Sequence, residues 1–392
     1  MKKKILFLTG CLAIGGSEKS LISFLDYMDY SKYECHILLL GNRDELLPQL
    51  NKNVIVHRLS KDNPYFDVPY KECLQRAIKT KKYGMIYYGT LNAIFKNSTT
   101  KFAKRFTASL RKRALPLEDK FDIAITFDSH VKKFLVKNIK ADLKIMRQSD
   151  GTINNATKKD IELFKKIDKV VTLTPKAAEF INLGCKVPKE KITVVGSNFN
   201  NEEILKDAEE YKVERGAKFV FTTTQRIVPL KNYEMIIHGL KYLCDHGFED
   251  IKCYAIGDGD LDHKEYPAKV KNLAKELGVS DKIEFVGAKI NPLPYVKACD
   301  IYFQPSNIEG LPRSVVEAFI LGKPCLCAAN VGCEFLIKPG ENGEIVPVGD
   351  IQGFSEKLLY MVENLEEIKA KQVPLRVDNE KVMEEYYKLF EE

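Results

Sequence analysis

Glu309 and Glu317 stand eight positions apart in a segment whose residue types could bind a small polar ligand. Glu309 falls where a predicted strand turns into a helix, beside Gly310, which relaxes the backbone there. Glu317 falls about two turns further along that helix. Amides at a helix N-terminus are free to bind anions, and a carboxylate can accept hydrogen bonds from a ribose diol. The spacing alone fits equally well an ordinary amphipathic helix that carries two solvated acids.

Short apolar runs that alternate with helical patterns would position these residues. In the first half, strands are predicted at residues 5–9, 35–40, 54–58, 121–127, 143–146 and 169–173, with an early helix over 17–27. The pattern restarts with strands at 219–223, 251–256, 283–286, 301–303 and 324–328, and helices around 232–246, 266–277 and 315–321. Buried runs of this kind indicate parallel sheets that are covered on both faces. The fold class is therefore α/β, with two doubly wound, Rossmann-like domains.

We predict a first domain over residues 1–197, a second domain over 198–377 and a C-terminal helix over 378–392 that could pack back on the first domain. The linker lies at 196–216, where an Asn-rich stretch gives way to an acidic helical one. Asp378 is the predicted N-cap of the last helix. Because ligands of open α/β sheets bind at the carboxyl ends of the strands, two such domains would enclose a site in the cleft between them.

Charge is divided unevenly along the chain. Residues 1–200 contain 37 Lys and Arg against 20 Asp and Glu, a balance of +17, whereas residues 201–392 contain 24 against 34, a balance of −10, which together give the net +7. A basic half suits an anionic surface such as a membrane or a nucleic acid. The sequence contains no signature of a DNA- or RNA-binding module, so we expect no specific nucleic-acid partner.

The N-terminus begins with basic residues and a short apolar run, but glycines and Glu18 interrupt it, so we interpret it as a buried strand and not as a signal peptide. No apolar run approaches the roughly 18 residues that span a bilayer. The ten cysteines then fit free thiols. The expected location is the cytoplasm, with a peripheral position on the inner face of the plasma membrane as an alternative.

Residues 305–319 resemble the E-x7-E motif of retaining glycosyltransferases of the GT-B type, specifically glycosyltransferase family 4. Other segments follow in the order of that family. Residues 14–19 resemble its Gly-Gly loop, 224–232 its basic pair and 256–259 its glycine turn, and 285–287, 298–300, 322–324 and 331–332 continue the series. The similarity covers the second half almost continuously and the first half only at its ends. It implies a GT-B fold, in which the two Rossmann-like domains face a central cleft.

The resemblance implies that the second domain binds a nucleotide-sugar donor, commonly a UDP-sugar. Glu317 would hold the ribose hydroxyls, and Glu309 would contact the donor sugar. Gly310 and Leu311 would offer backbone amides to the donor, and Gly257 would belong to the donor-binding glycine turn.

Arg226 and Lys231 form the basic pair and would clamp the donor diphosphate. A leaving nucleoside diphosphate gains negative charge as the glycosidic bond breaks, so fixed cations stabilise the transition state more than the ground state. Plain surface charge is the alternative, which the position of the pair after a strand and around Pro229 disfavours. Gly15 and Gly16 would let the amides of the first helix approach the donor phosphate or the acceptor.

No Asp-x-Asp metal motif ends a plausible strand, so protein cations would replace a divalent ion. Residues 258–262 carry carboxylates at that spacing, but the resemblance places them in the glycine turn. We therefore expect neither a metal nor a cofactor, because the nucleotide-sugar is a substrate. Retention could arise by front-side attack or through a covalent intermediate, and the sequence leaves both open.

The residue that orients the acceptor departs from the family pattern. Many relatives carry a histidine after the strand that ends the acceptor wall, where residues 147–151 here read Arg-Gln-Ser-Asp-Gly. Asp150 could orient an acceptor hydroxyl and is our catalytic candidate in this region. His130, after the strand at 121–127, could instead line the cleft, although a lone histidine beside Asp128 also fits a surface position.

Residues 97–113 contain six basic residues and no acidic one. Phe102, Phe106 and Leu110 lie four apart, so a helix there would be amphipathic and basic, and such helices lie on anionic membranes. This favours a lipid-linked acceptor, whereas packing of the three apolar side chains on the domain is the alternative. The basic candidates for this surface are Lys104, Arg105, Arg111, Lys112 and Arg113.

Together these features predict a metal-independent, configuration-retaining hexosyltransferase. It would move a hexose or N-acetylhexosamine from a nucleotide-sugar to a saccharide or lipid-linked acceptor in cell-surface polysaccharide or glycolipid synthesis. The alternatives are a non-catalytic nucleotide-sugar-binding protein and another GT-B enzyme such as a UDP-sugar epimerase. A nicotinamide oxidoreductase is disfavoured because Gly10, Gly15 and Gly16 do not give the required Gly-x-Gly-x-x-Gly spacing.

Overall fold

The first half of the chain forms a parallel sheet in the computed structural model, which describes residues 2–41, 43–58, 70–79, 86–87, 90–91, 120–149, 156–260 and 262–392. Its strands are β1 (Lys3–Thr9), β2 (Tyr33–Leu39), β3 (Ile55–Arg58), β4 (Phe121–Thr126), β5 (Ala141–Gln148), β6 (Lys169–Thr172) and β7 (Ile192–Val194). They pair in the order β3-β2-β1-β4-β5-β6-β7. Central β1 is an unbroken apolar run with no exposed side chain from Ile5 to Leu8, as a strand covered on both faces requires.

Helices cover this sheet. Those described are α1 (Gly16–Asp26), α2 (Tyr70–Lys79), α3 (Lys132–Asn138), α4 (Lys158–Phe164) and α5 (Pro175–Cys185). α1 follows β1 directly and buries Leu21, Phe24 and Leu25 in the core on one side of the sheet. α5 begins with a local signal, because the Thr174 side chain accepts a hydrogen bond from the amide of Ala177 and a proline takes the first helical position.

The second half repeats this architecture. Its strands are β8 (Phe219–Thr224), β9 (Ile251–Ile256), β10 (Ile283–Phe285), β11 (Ile301–Gln304), β12 (Cys325–Ala328) and β13 (Gly343–Val346). They pair in parallel in the order β10-β9-β8-β11-β12-β13. The helices are α6 (Asn201–Asp207), α7 (Tyr233–Asp245), α8 (Tyr266–Glu276), α9 (Leu293–Ala298), α10 (Arg313–Ile320), α11 (Val331–Leu336), α12 (Ile351–Glu363) and α13 (Leu365–Ala370).

The last helix, α14 (Asn379–Glu391), crosses back onto the first domain. Asp378 caps it, since its carboxylate accepts a hydrogen bond from the amide of Lys381 at 3.0 Å. Tyr386 lies edge-on to Phe24 of α1 with 4.6 Å between the ring centroids. The helix thus completes the core of the domain from which it is most distant in sequence.

The fold prediction is confirmed: both halves are doubly wound parallel sheets with helices packed against them. In the part of the chain described here, no helix is both long and apolar enough to cross a membrane.

Candidate active site

The predicted site residues gather where the strand order of each sheet reverses. These switch points lie between β1 and β4 in the first sheet and between β8 and β11 in the second. At such a point, the loops that leave two neighbouring strands diverge to opposite faces, which opens a crevice for a ligand at the carboxyl edge. Arg226 and Lys231 follow β8, and Glu309 follows β11. Gly15 and Gly16 follow β1, and His130 follows β4.

Arg226 lies in the loop after β8 and is supported by the glycine turn. Its guanidinium donates to the Asp260 carboxylate at 3.1 Å, and its side chain is 65% exposed. Gly257 has a φ of 152°, and a Cβ there would lie 2.1 Å from the carbonyl oxygen of Gln225. Because only glycine tolerates this approach, Gly257 allows the loop after β9 to lie against the loop that carries Arg226.

Lys231 and Glu309 form an ion pair, and the side chain of each is 18% exposed. Gln304, the last residue of β11, donates from its side-chain amide to the same Glu309 oxygen at 2.9 Å. Lys231 ends a short 3-10 helix, and the following Asn232 adopts a left-handed conformation with a φ of 49°. The pair therefore joins the loops of two neighbouring strands at the switch point.

A buried hydrogen-bond network supports this ion pair from below. Ser306 donates to the Gln225 side chain at 2.9 Å, and Gln304 donates to Ser306 at 2.8 Å. Ser314 of α10 donates to Gln304 at 3.1 Å, and Gln225 donates to the carbonyl of Lys231 at 3.2 Å. A satisfied network of this kind holds its members in one arrangement. The sequence analysis missed it, although polar residues that end apolar strands were a usable signal.

Glu317 lies on α10, largely buried, and pairs with Arg313 one turn earlier. The distance from Arg313 Nε to Glu317 Oε1 is 3.3 Å. Gly310 is buried, and Leu311 is half-buried. Gly332 packs against this loop, because its amide donates to the Glu309 carbonyl at 3.1 Å. Sequence reasoning did not single out Arg313, although its spacing of four from Glu317 was visible.

The first domain presents the N-terminus of α1 to the cleft. Gly15 is the N-cap in extended conformation, with no side-chain cap. A Cβ on Gly16 would meet no atom within 4 Å, so nothing in this structure demands glycine there. Lys19 donates to the carbonyl of Ile290 in the second domain at 3.3 Å. The Gly-Gly loop thus lies close to the second domain.

Two carboxylates of the first domain face this loop. Burial raises the pKa of Glu18, the neighbouring Asp128 raises it further, and Arg226 of the second domain opposes both. Asp128 follows β4, accepts hydrogen bonds from the amides of His130 at 2.8 Å and Gly10 at 3.3 Å, and thereby ties the β1 loop to the β4 loop. His130 itself is exposed. The influence of Arg226 on Glu18 brings the two switch points into electrostatic reach of each other.

Some predicted residues lie outside the described part of the chain. These are Asp150, Lys104, Arg105, Arg111, Lys112 and Arg113.

Comparison with known proteins identifies the class. Residues 206–372 match the family model described as glycosyl transferases group 1. A lipopolysaccharide core biosynthesis glycosyltransferase of Rhizobium meliloti is 25% identical over 260 residues, which are 66% of this chain and 70% of that protein. A capsular polysaccharide biosynthesis glycosyltransferase of Staphylococcus aureus is 22% identical over 317 residues, 80% of this chain and 78% of that protein.

Solved structures share the fold over the whole chain. Anabaena HepE in complex with UDP and glucose has a TM-score of 0.71 at 16% identity and covers 99% of both chains. Staphylococcus aureus TarM in complex with fondaparinux, alpha-GlcNAc-glycerol and UDP has a TM-score of 0.71 at 13% identity and covers 100% of both. This chain is a glycosyltransferase of the GT-B fold, and its second domain matches the glycosyl transferases group 1 family.

Proposed function

We propose that this protein transfers a hexose or N-acetylhexosamine from a UDP-sugar to a saccharide or lipid-linked acceptor and retains the anomeric configuration. The observation that carries the proposal is the Lys231–Glu309 ion pair at the switch point of the second sheet. Arg226 lies in the same loop as Lys231, and it acts electrostatically on Glu18 of the opposite domain. Cations, a sugar-binding carboxylate and a facing domain are the parts that glycosyl transfer needs.

In the proposed complex, Arg226 and Lys231 contact the diphosphate, and Glu309 contacts the donor sugar. Glu317 accepts hydrogen bonds from the ribose hydroxyls. As the glycosidic bond breaks, the two cations stabilise the charge on the leaving diphosphate, so the reaction proceeds without a metal ion. Asp150 orients the acceptor hydroxyl. The names of the relatives support cell-surface polysaccharide or lipopolysaccharide synthesis as the process.

A panel of nucleotide-sugars tests the donor assignment by thermal shift and calorimetry with EDTA present. We expect one donor to bind saturably and Glu317→Ala to abolish that binding. Absence of binding by every donor to the folded protein would overturn the assignment. Binding that needs an added divalent cation would overturn metal independence alone.

Arg226→Ala separates the proposed catalytic role from stability. The Arg226 side chain is exposed and its ion pair lies at the surface, so its loss should leave the melting temperature unchanged while turnover falls about 100-fold or more. Equal losses of stability and activity would contradict the assignment. Lys231→Ala is a less selective test, because it leaves the partly buried Glu309 carboxylate without its cation.

The membrane part of the proposal rests on the sequence of residues 97–113. Reversing the charges of Arg111, Lys112 and Arg113 should weaken binding to vesicles that contain anionic lipid, since each cation near such a surface contributes about 1 kcal/mol. Unchanged co-sedimentation of the variant with these vesicles would refute the membrane surface and leave the saccharide acceptor in place.

A further inference from the structure

We propose that Arg313 is a positioning residue that couples Glu317 to the closure of the first domain over the donor. The inference rests on the proposed function of Glu317 as the ribose-binding carboxylate. Arg313 is assigned no contact with the substrate. It acts by fixing Glu317 and by joining that carboxylate to the helix that carries the Gly-Gly loop.

The Arg313 side chain makes four contacts in three different parts of the protein. Its Nε lies 3.3 Å from Glu317 Oε1 on α10. Its Nη1 donates to the carbonyl of Asn198 in the linker at 3.1 Å, and its Nη2 donates to Oγ of Ser23 on α1 at 3.2 Å. The guanidinium carbon lies 4.1 Å from the ring centroid of Phe199. One planar group thus reads the donor carboxylate, the linker and the first domain at once.

This placement runs against the usual preferences of a helix. Arg313 is the first residue of α10, where the positive end of the helix dipole disfavours a cation, and no acidic residue lies in that first turn. Burial lowers the pKa of Arg313, and Glu317 opposes this effect. A buried cation in an unfavourable field is retained only if its contacts offset the cost. Violations of this kind are expected at functional positions.

The contacts of Arg313 lie where the chain crosses between the domains. Asn379, at the start of α14, accepts from the Phe199 amide at 3.0 Å and donates to the Phe199 carbonyl at 2.8 Å, which ties the two crossing segments together. One residue before Asn198, Ser197 accepts a hydrogen bond from the buried Arg147 at the end of β5. Consecutive linker residues are therefore held by arginines of opposite domains. Rotation about this point must change the Arg313 contacts.

Ser23 is the contact that depends on the domain arrangement. It lies about two turns from Gly16 on the same helix, so a rigid movement of α1 carries both residues together. A carboxylate accepts about four hydrogen bonds, and Arg313 occupies only part of the capacity of Glu317. Glu317 can therefore accept from a ribose while it remains paired, and the closed arrangement that seats the Gly-Gly loop also holds Arg313 in place.

The test compares Ser23→Ala, Arg313→Lys and Arg313→Ala with the wild-type protein. The readouts are the Kd of UDP by calorimetry, kcat and KM with the active donor, and the change in radius of gyration on UDP binding by small-angle scattering. Lys176→Ala is the matched control, since it removes an exposed ion pair with Glu334 that also joins the domains but does not touch Glu317. We expect the control to stay within about twofold of the wild type in every readout.

Ser23→Ala should leave the Kd of UDP within about twofold but lower kcat about three- to tenfold and reduce the closure on UDP binding. Arg313→Lys keeps a cation beside Glu317, so it should retain most of the UDP affinity and share the kcat defect. Arg313→Ala should lose both properties. Ser23→Ala keeps the test decisive if Arg313→Ala fails to fold.

Wild-type kcat and closure in Ser23→Ala, or full activity in Arg313→Lys, would overturn the coupling. If Glu317→Ala nevertheless abolishes UDP binding, the proposed donor site stands and only the coupling fails. If Glu317→Ala binds UDP normally, the ribose assignment fails, and the coupling fails with it.

Discussion

At the residue scale, the charges of the candidate site already have opposite partners before a donor binds. Arg226 pairs with Asp260, whereas Lys231 pairs with Glu309. The first pair is exposed and the second is largely buried. A donor diphosphate must therefore replace Asp260 at Arg226, and this exchange occurs close to solvent, where ion pairs contribute little.

Asp260→Asn should strengthen the binding of UDP. The amide keeps the side-chain oxygen that accepts from the amides of Asp262 and His263, so the turn is preserved while a charge that competes with the diphosphate is removed. We expect the Kd of UDP to fall about two- to fivefold in calorimetry at low salt, and the gain to shrink at high salt. Asp281→Asn, at an exposed carboxylate outside the cleft, is the control. Weaker binding by Asp260→Asn would contradict this account of Arg226.

Glu18→Gln should stabilise the protein at alkaline pH and not at acidic pH. Burial and Asp128 raise the pKa of Glu18 above its ordinary 4.5, so the folded protein holds this proton more tightly than the unfolded chain does. The free energy of unfolding of the wild type therefore falls as the pH rises from that ordinary value through the raised one. Urea titrations at pH 4 and pH 8 measure the difference. An equal effect at both pH values would show that packing, and not ionisation, is responsible.

The sequence predicted the identity of most candidate residues but not their pairing. Glu309 and Glu317 were accessible through a local motif. Lys231 and Glu309 are 78 positions apart, and only the strand order brings them together. Arg313 was missed because helix spacing indicates which residues are neighbours, whereas a link from α10 to Ser23 depends on how the domains meet.

At the element scale, strand length decided which parts of the fold could be predicted. Central strands such as β8 and β9 were predicted to within one residue, because both faces are buried and the apolar run is continuous. β7 and β13 were not predicted. They lie at the edges of their sheets, and β7 spans only three residues that are partly or fully exposed. Such strands are defined by pairing, which composition does not reveal.

Gly257→Ala should destabilise the second domain and displace Arg226. The substitution combines an unfavourable positive φ with a Cβ that would lie 2.1 Å from backbone oxygen, so we expect a loss of about 3 kcal/mol or more in the free energy of unfolding. Gly247→Ala is the matched control, since it also has a positive φ but no atom within 4 Å, and should cost about 1 kcal/mol. Equal costs in urea denaturation would mean that the close approach to Gln225 is relieved by a small backbone shift.

At the scale of the whole molecule, each end of the chain completes a domain built mainly by the other part. β1 is the centre of the first sheet, and α14, nearly 400 residues later, packs on it. Tyr386 and Phe390 share a core cluster with Phe7 and Phe24. Two chain crossings, and not one, therefore join the domains. This arrangement limits their relative motion to rotation about the paired segments that include Phe199 and Asn379.

Tyr386→Ala should unfold the first domain selectively. Tyr386 is 1% exposed, so its truncation leaves a cavity against Phe24 that should cost about 3–5 kcal/mol. Tyr360→Ala on α12, where the side chain is 44% exposed, is the matched control and should cost well under about 1 kcal/mol. Hydrogen exchange resolved along the chain is the measurement, since it reports the opening of each region separately. We expect the amides of β1 and β4 to lose protection while those of β8 and β11 keep it. An equal loss in both sheets would mean that the two cores unfold as one cooperative unit, and the double crossing would then fuse the domains thermodynamically instead of acting as a hinge between them.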